Sequence, residues 1–119
     1  MRCTVLGAGS WGTALAIQLA RVGHDTLLWD RNPDRCAHMN AERTNPRYLK
    51  GEILPEGLHA EPDLERAMAH AELLVPVLPS HGLREVIGAG KHALSQQVQV
   101  CCATKGIEGG TLQLSLIHI

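Results

Sequence analysis

The sequence has no phenylalanine and a single tyrosine, and aromatic residues make up only 3% of its 119 residues. A core must therefore be filled by Leu, Val, Ile and Ala, which the 45% hydrophobic content supplies. The formal net charge is −1, and the eleven basic residues are scattered, whereas a nucleic-acid surface needs clustered Lys and Arg. No apolar run reaches the roughly 18 residues that span a bilayer. These absences favour one small globular domain with neither nucleic acid nor membrane as its partner.

Cysteine and histidine are not arranged as ligands. The four cysteines are Cys3, Cys36, Cys101 and Cys102, which form no Cys-x-x-Cys motif. We expect them to be buried thiols in a reducing cytoplasm, the more so because a strand pattern begins at once and leaves no room for a signal peptide. No two of the seven histidines have the His-x-x-x-His spacing, so we predict no metal site.

The apolar pattern alternates between short strands and helices. It predicts strands over residues 2–6, 25–29, 58–60, 73–78 and 98–103, and helices over residues 10–22, 33–42, 62–70 and 81–94. In the first helix the apolar positions Trp11, Leu15, Leu19 and Val22 form one stripe. Residues 44–57, rich in Pro and Gly, are expected to be a long loop. Such alternation predicts an α/β fold of the Rossmann type, with a doubly wound and mostly parallel sheet.

Pro76 conflicts with this assignment. It lies inside a strand that the topology places centrally, where a missing N–H costs a hydrogen bond of the sheet. We expect a local irregularity of the strand, an error in the sequence or a tolerated defect at this position.

The strongest motif is Gly-Ala-Gly-Ser-Trp-Gly at residues 7–12, because it follows a strand, opens a helix and precedes a second strand. Gly7 allows the tight turn, Gly9 lets the backbone approach phosphates, and Gly12 permits close packing of helix on strand. The helix N-terminus adds N–H donors and positive potential for a dinucleotide pyrophosphate. Ser10 is a candidate for helix capping, phosphate binding or both, and Trp11 for core packing or a backbone contact to the pyrophosphate.

The second strand ends in Trp-Asp-Arg. Asp30 lies 18 residues after Gly12, where an acid commonly binds the adenosine ribose and favours NAD. The adjacent Arg31 is suited to stacking on adenine or pairing with a 2′-phosphate, which favours NADP. Both signals are present, so use of both cofactors is plausible, while the alternative for each residue is a solvated loop charge.

Other strand ends and the long loop add weaker candidates. Ligands of parallel sheets bind outside the carboxyl ends of the strands, which draws attention to Pro79 and Lys105. Taken alone, Lys105 is more typical of a surface lysine than of a site for an anionic substrate. Tyr48 either stacks on a ligand or pins the loop, and the sequence leaves this open.

Taken together, several segments resemble the N-terminal half of the bacterial-type NAD(P)-dependent glycerol-3-phosphate dehydrogenases. The shared motifs are Val-Leu-Gly-Ala-Gly-Ser-Trp-Gly-Thr-Ala-Leu-Ala at residues 5–16, Leu-Trp-x-Arg at 28–31, Asn-Pro-Arg-Tyr-Leu at 45–49, Val-x-Pro-Ser-His at 77–81, Leu-Arg-Glu-Val at 83–86 and Ala-Thr-Lys-Gly-Ile-Glu at 103–108. The likeness runs from residue 1 to about residue 112.

This resemblance implies reversible hydride transfer between NAD(P)H and dihydroxyacetone phosphate, giving glycerol 3-phosphate for phospholipid synthesis. It assigns nucleotide contacts to the positions of Ser10, Trp11 and Arg31. It also places Lys105 beside both nicotinamide and substrate, where the lysine would hold and polarise the oxygen at the reacting carbon. The full-length form is expected to be a cytoplasmic homodimer.

The chain also departs from the family pattern. The helical C-terminal domain, with its acid/base lysine and most phosphate-binding groups, is absent, so we interpret residues 1–112 as a partial dinucleotide-binding domain and residues 113–119 as a tail of doubtful origin. Pro76 stands where a small or β-branched residue is usual, and Asp30 where a small residue is common, which argues against strict NADP preference. The alternatives are a nucleotide-binding module or inactive fragment without catalysis, and another small-hydroxy-acid dehydrogenase, against which residues 103–106 argue.

Overall fold

The computed structural model describes residues 1–45, 49–78 and 80–101. Strands and helices alternate along this part of the chain. The strands are β1 (Arg2–Leu6), β2 (Asp25–Trp29), β3 (Thr44–Asn45), β4 (Leu49–Ile53), β5 (Leu58–Glu61), β6 (Leu73–Pro76) and β7 (Gln99–Val100). The helices are α1 (Ser10–Arg21), α2 (Pro33–Glu42), α3 (Leu64–His70) and α4 (Ser80–Gly90), the last followed by a 3₁₀ turn at Lys91–Ala93.

Five of the strands form one parallel sheet in the order β5-β2-β1-β6-β7. The chain starts in the middle of the sheet, builds outward through β2 and β5, and then returns to the other side of β1. The strand order therefore reverses between β1 and β6, which is the arrangement of a doubly wound Rossmann fold. The predicted fold class is confirmed.

The sheet is buried on both faces because successive side chains of its apolar strands point to opposite sides. Val5 and Leu6 are both fully buried but belong to two different clusters. The Val5 cluster includes residues of α1 and α2, and the Leu6 cluster includes residues of α3 and α4. The domain thus has a helical layer on each face. No helix among the described residues is long and apolar enough to cross a bilayer.

The predicted apolar stripe of α1 was wrong at both of its ends. Trp11 is 53% exposed and Val22 is 64% exposed, so neither is a core residue. The buried positions of the helix are instead Gly12, Thr13, Ala16 and Ile17. A glycine at position 12 allows the helix to lie directly against the turn after β1. Three of these four residues are small, and Leu15 and Leu19 in the middle of the predicted stripe are partly buried against the same cluster.

The stretch expected to be a loop contains paired strands. β3 and β4 are antiparallel, with Thr44 opposite Ile53. Arg43 ends α2 in a left-handed conformation (φ 58°), which turns the chain into β3. The Arg43 guanidinium donates to the carbonyl oxygens of Pro55 and Leu58, at 2.5 and 2.6 Å. The expectation of a loop was therefore wrong for β4, which contains Gly51, because these contacts between distant residues were not visible in the sequence.

Pro76 is tolerated because of the side of the strand that it faces. Cys101 donates its N–H to the carbonyl of Leu74, so the backbone of Leu74 faces β7, and Pro76, two residues later, faces the same side. On the other side, Val77 donates to the carbonyl of Leu6 at 2.8 Å, which keeps the pairing with β1. The described register of β6 with β7 reaches only Leu74. The proline thus removes no hydrogen bond between β6 and β1.

The expectation for the cysteines was right for two of them and wrong for a third. Cys3 and Cys36 are buried, and burial is the main cause that raises the pKa of both thiols, to about 11 for Cys36. Cys101 is exposed, because it follows the short β7, which lies last in the described sheet order. Cys102 lies outside the described residues.

Candidate functional site

A cleft of about 240 Å³ lies at the carboxyl ends of β1, β2 and β6. Its lining residues are the last residue of β2, the residues that follow β1, β2 and β6, and one residue of α2; they are Gly7, Ala8, Gly9, Trp29, Asp30, Arg31, Arg35, Val77 and Leu78. The cleft therefore sits where the strand order reverses, which is the place where open α/β sheets bind their ligands. Four of the residues predicted from the sequence, Gly7, Gly9, Asp30 and Arg31, meet there.

The glycine turn at residues 7–12 has the geometry that its spacing predicted. Gly7 has a φ of 117°, in the region that only glycine enters readily. A Cβ on Gly12 would lie 1.8 Å from the carbonyl oxygen of Gly7, so α1 packs directly on the turn. The Gly7 N–H donates to the Trp29 carbonyl at 3.1 Å, which ties the turn to the end of β2. The first and last glycines thus shape the turn.

Gly9 has a different role from the other two glycines. Its backbone is extended (φ −73°, ψ −173°), a conformation open to any residue, and a Cβ there would meet nothing within 4 Å. The space above Gly9 is therefore open, at the N-terminus of α1, where the helix dipole favours an anion. This arrangement fits the pyrophosphate of a dinucleotide, since a side chain at position 9 would project into that space.

The proposed capping role of Ser10 was wrong. Gly9 is the N-cap residue of α1, without a side-chain capping bond, and Ser10 is the first helical residue. Ser10 and Trp11 are both exposed on the first turn of the helix, beside the open space over Gly9. The predicted start of the helix at residue 10 is confirmed, so the cap falls on Gly9, one residue before the serine proposed for it.

Asn45 supports the turn from behind and was missed as a site residue by reasoning from residue types. It is 1% exposed, and its Nδ2 donates to the Ala8 carbonyl at 3.1 Å and to the Thr13 hydroxyl at 2.9 Å. β3 thus holds the middle of the glycine turn and the first turn of α1 together. The only sequence signal was the place of Asn45 at the start of the Asn-Pro-Arg-Tyr-Leu motif.

The acid at the end of β2 is neither solvated nor isolated. Asp30 is 7% exposed, and its Oδ2 lies 2.7 Å from Nη1 of Arg35. Its Oδ1 accepts a long 3.4 Å hydrogen bond from the Asn32 N–H. The alternative of a solvated loop charge is therefore wrong for Asp30, whereas Arg31 is exposed and lines the cleft. The sequence reasoning missed Arg35, which lies in the first turn of α2.

Cys36 lies just below this acid. Its Sγ is 3.4 Å from the Asp30 carbonyl oxygen, and the thiol is 1% exposed. Burial, and then the negative charge of Asp30, raise the pKa of this thiol to about 11. A neutral, inaccessible thiol packs the start of α2 against the end of β2 and has no nucleophilic role at neutral pH.

Three predicted residues, Tyr48, Pro79 and Lys105, lie outside the described residues, and their assignments stay predictions. Among the residues that the structure does describe, no group of three or more His, Cys, Asp or Glu side chains is placed to hold a metal ion.

Comparison with known proteins gives consistent matches. A family model described as "NAD-dependent glycerol-3-phosphate dehydrogenase N-terminus" matches residues 2–118. A protein of Pseudoalteromonas translucida named glycerol-3-phosphate dehydrogenase (NAD(P)+) is 50% identical over 111 residues, 93% of this chain and 33% of that protein. The protein of the same name from Mannheimia succiniciproducens is 48% identical over 111 residues, with the same coverage.

A solved structure agrees with these matches. The crystal structure of glycerol-3-phosphate dehydrogenase from Coxiella burnetii superimposes with a TM-score of 0.84 at 37% identity, covering 97% of this chain and 36% of that one. The chain thus spans about a third of the length of the curated relatives that it matches.

Proposed function

The chain belongs to the family of the N-terminal part of NAD-dependent glycerol-3-phosphate dehydrogenases, and on that premise we propose that it binds NAD(H) or NADP(H) as the cofactor-binding part of such an oxidoreductase. The single observation that carries the proposal is the glycine turn, placed at the reversal of strand order with open space over Gly9. A strand-turn-helix corner that binds no ligand would need Gly7 and Gly12 for its geometry, but it would not need a glycine at position 9.

Different residues of the cleft would hold different parts of the dinucleotide. The pyrophosphate would lie over Gly9, where the N-terminus of α1 supplies N–H donors and positive potential, with Ser10 and Trp11 beside it. The adenosine end would lie at the end of β2, near Asp30 and Arg31. The bound nicotinamide would supply the hydride, and the protein's part is to hold and orient the cofactor.

The reaction that this cofactor would serve is the interconversion of dihydroxyacetone phosphate and glycerol 3-phosphate, as the family resemblance implies. Lys105 would hold and polarise the oxygen at the reacting carbon, and Tyr48 and Pro79 would contact the cofactor. The resemblance places the acid/base lysine and most phosphate-binding groups beyond the matched part. We therefore expect these 119 residues alone to bind cofactor with negligible turnover. The full-length form would act as a cytoplasmic homodimer.

The test is to titrate the purified chain with NADH and NADPH, using calorimetry together with energy transfer from Trp29, a buried residue that lines the cleft. We expect saturable binding that Gly9→Ala weakens at least tenfold, because its methyl group would enter the space for the pyrophosphate. Gly88→Ala is the matched control, since a Cβ on this exposed glycine of α4 also meets nothing within 4 Å and lies outside the cleft lining.

The alternative readings predict other outcomes. If the folded chain binds neither nucleotide at millimolar concentration, the proposed function fails. If it binds cofactor and also oxidises NADH in the presence of dihydroxyacetone phosphate, the chain is a catalyst by itself, and the expected lack of turnover is wrong.

A further inference from the structure

The ion pair between Asp30 and Arg35 changes what an acid at this position does. An acidic residue at the end of the second strand commonly accepts hydrogen bonds from the adenosine ribose hydroxyls. Its negative charge also disfavours a phosphate at the ribose 2′ position, because like charges repel. Here the carboxylate already has a cationic partner at 2.7 Å. The carboxylate therefore faces the cleft with its charge compensated.

Local structure fixes this pair in place. Asn32 is the N-cap residue of α2, and its side chain accepts from the Arg35 N–H at 3.1 Å. Pro33 is the first residue of the helix, and its fixed φ suits that position. The first turn of α2 thus brings the Arg35 guanidinium back over the end of β2. The side chain of Arg35 is 26% exposed and that of Asp30 is 9% exposed, so the pair is largely withdrawn from solvent.

The balance of charge at this end of the cleft is positive. Asp30, Arg31 and Arg35 all line it, and one negative and two positive charges leave a net charge of +1. Arg31 is exposed, while Arg35 is held by the carboxylate. A cleft end with this charge suits a ribose 2′-phosphate, although an acid stands where it would exclude one.

We propose that Arg35 is a specificity-determining residue: by pairing with Asp30 it cancels the repulsion of a ribose 2′-phosphate and allows the cleft to accept NADPH as well as NADH. This inference rests on the proposed function, because it concerns the same cofactor site. It assigns the acceptance of the 2′-phosphate to the Asp30–Arg35 pair together with Arg31, not to Arg31 alone.

The test is a double-mutant cycle on the full 119-residue chain, with dissociation constants measured for both NADH and NADPH. Arg35→Met keeps much of the apolar stem and removes the charge. We expect it to weaken the binding of NADPH at least tenfold, while the dissociation constant for NADH changes less than threefold. Arg66→Met is the matched control, because it removes the same charge from an exposed residue of α3 that does not line the cleft. This control should change neither constant.

The second arm removes the acid. We expect Asp30→Asn to restore NADPH binding to within threefold of the wild type in the Arg35→Met background, because no uncompensated carboxylate then faces the phosphate. The double variant buries no unpaired charge, so it also tests the idea if Arg35→Met alone fails to fold. In an otherwise wild-type chain, Asp30→Asn should also strengthen NADPH binding, but by a smaller factor than it does in the Arg35→Met background.

Several results would overturn the inference. An equal loss of both nucleotides in Arg35→Met would mean a merely structural role, and no loss of either would mean that Arg35 is irrelevant to specificity. A double variant that binds NADPH as poorly as Arg35→Met alone would also contradict it. A wild-type chain that binds NADH but not NADPH would overturn this inference alone, whereas a chain that binds neither would overturn the proposed function.

Discussion

Replacing Gly12 with alanine should damage both the stability of the domain and its cofactor site. A Cβ at this position would lie 1.8 Å from the Gly7 carbonyl oxygen, and real Cβ contacts essentially never fall below 3.0 Å. The start of α1 would therefore have to move by at least 1.2 Å away from the turn. Ala16 and Ile17 lie on the same buried face of the helix, so this movement would loosen their packing as well.

The expected cost follows from this displacement. Overpacking a core typically costs about 1 to 3 kcal/mol, and a gap of about 0.5 to 1 Å forfeits a quarter to a half of each dispersion contact. Because the clash is with backbone, which cannot rotate away, we expect a loss of about 3 kcal/mol in the free energy of unfolding. For a domain of this size that corresponds to a fall in Tm of roughly 10 to 15 °C.

The assay is urea unfolding followed by circular dichroism, combined with NADH titration of the folded fraction. Gly9→Ala is the informative comparison, because its added methyl meets nothing within 4 Å and its backbone is extended. It should cost at most about 1 kcal/mol, the order of an unfavourable N-cap residue, while still impairing cofactor binding. An unchanged urea midpoint for Gly12→Ala would refute the close contact of α1 with the turn.

Three further results are expected. Asn45→Ala should lower the free energy of unfolding by about 1 to 3 kcal/mol in the same urea assay, because the buried Ala8 carbonyl and Thr13 hydroxyl both lose the hydrogen bond that the Asn45 amide donates. An unchanged midpoint would contradict this. Burial raises the pKa of Cys36 from an ordinary 9.0 to about 11, so above pH 9 the thiol ionises more readily in the unfolded chain than in the folded one. The free energy of unfolding should therefore keep the full contribution of the neutral thiol below pH 9 and lose roughly 2 to 3 kcal/mol as the pH rises to 11. Cys36→Ala should remove this part of the pH dependence. In native buffer a thiol reagent should modify Cys101 faster than Cys36, as peptide mapping would show, and equal rates would contradict the burial of Cys36.

The sequence by itself determined the fold class and the position of the cofactor turn. Strand and helix periodicity located the elements of the parallel sheet, and the spacing of Gly7, Gly9 and Gly12 predicted the turn, because these features depend on local backbone geometry. The same local logic left two roles open for Trp11, core packing or a contact to the pyrophosphate. The structure excludes core packing, because Trp11 is 53% exposed.

Only the tertiary structure decided which side chains share the cleft and how their charges are paired. Asn45 lies 32 residues from its partner Thr13, and nothing in local periodicity reports a contact of that kind. Arg35 is close in sequence to Asp30, but the pairing depends on the direction in which α2 leaves β2, which the sheet and the Asn32 cap fix. The residue types therefore predicted a dinucleotide turn, while the packing of α2 and β3 set its charge and its support.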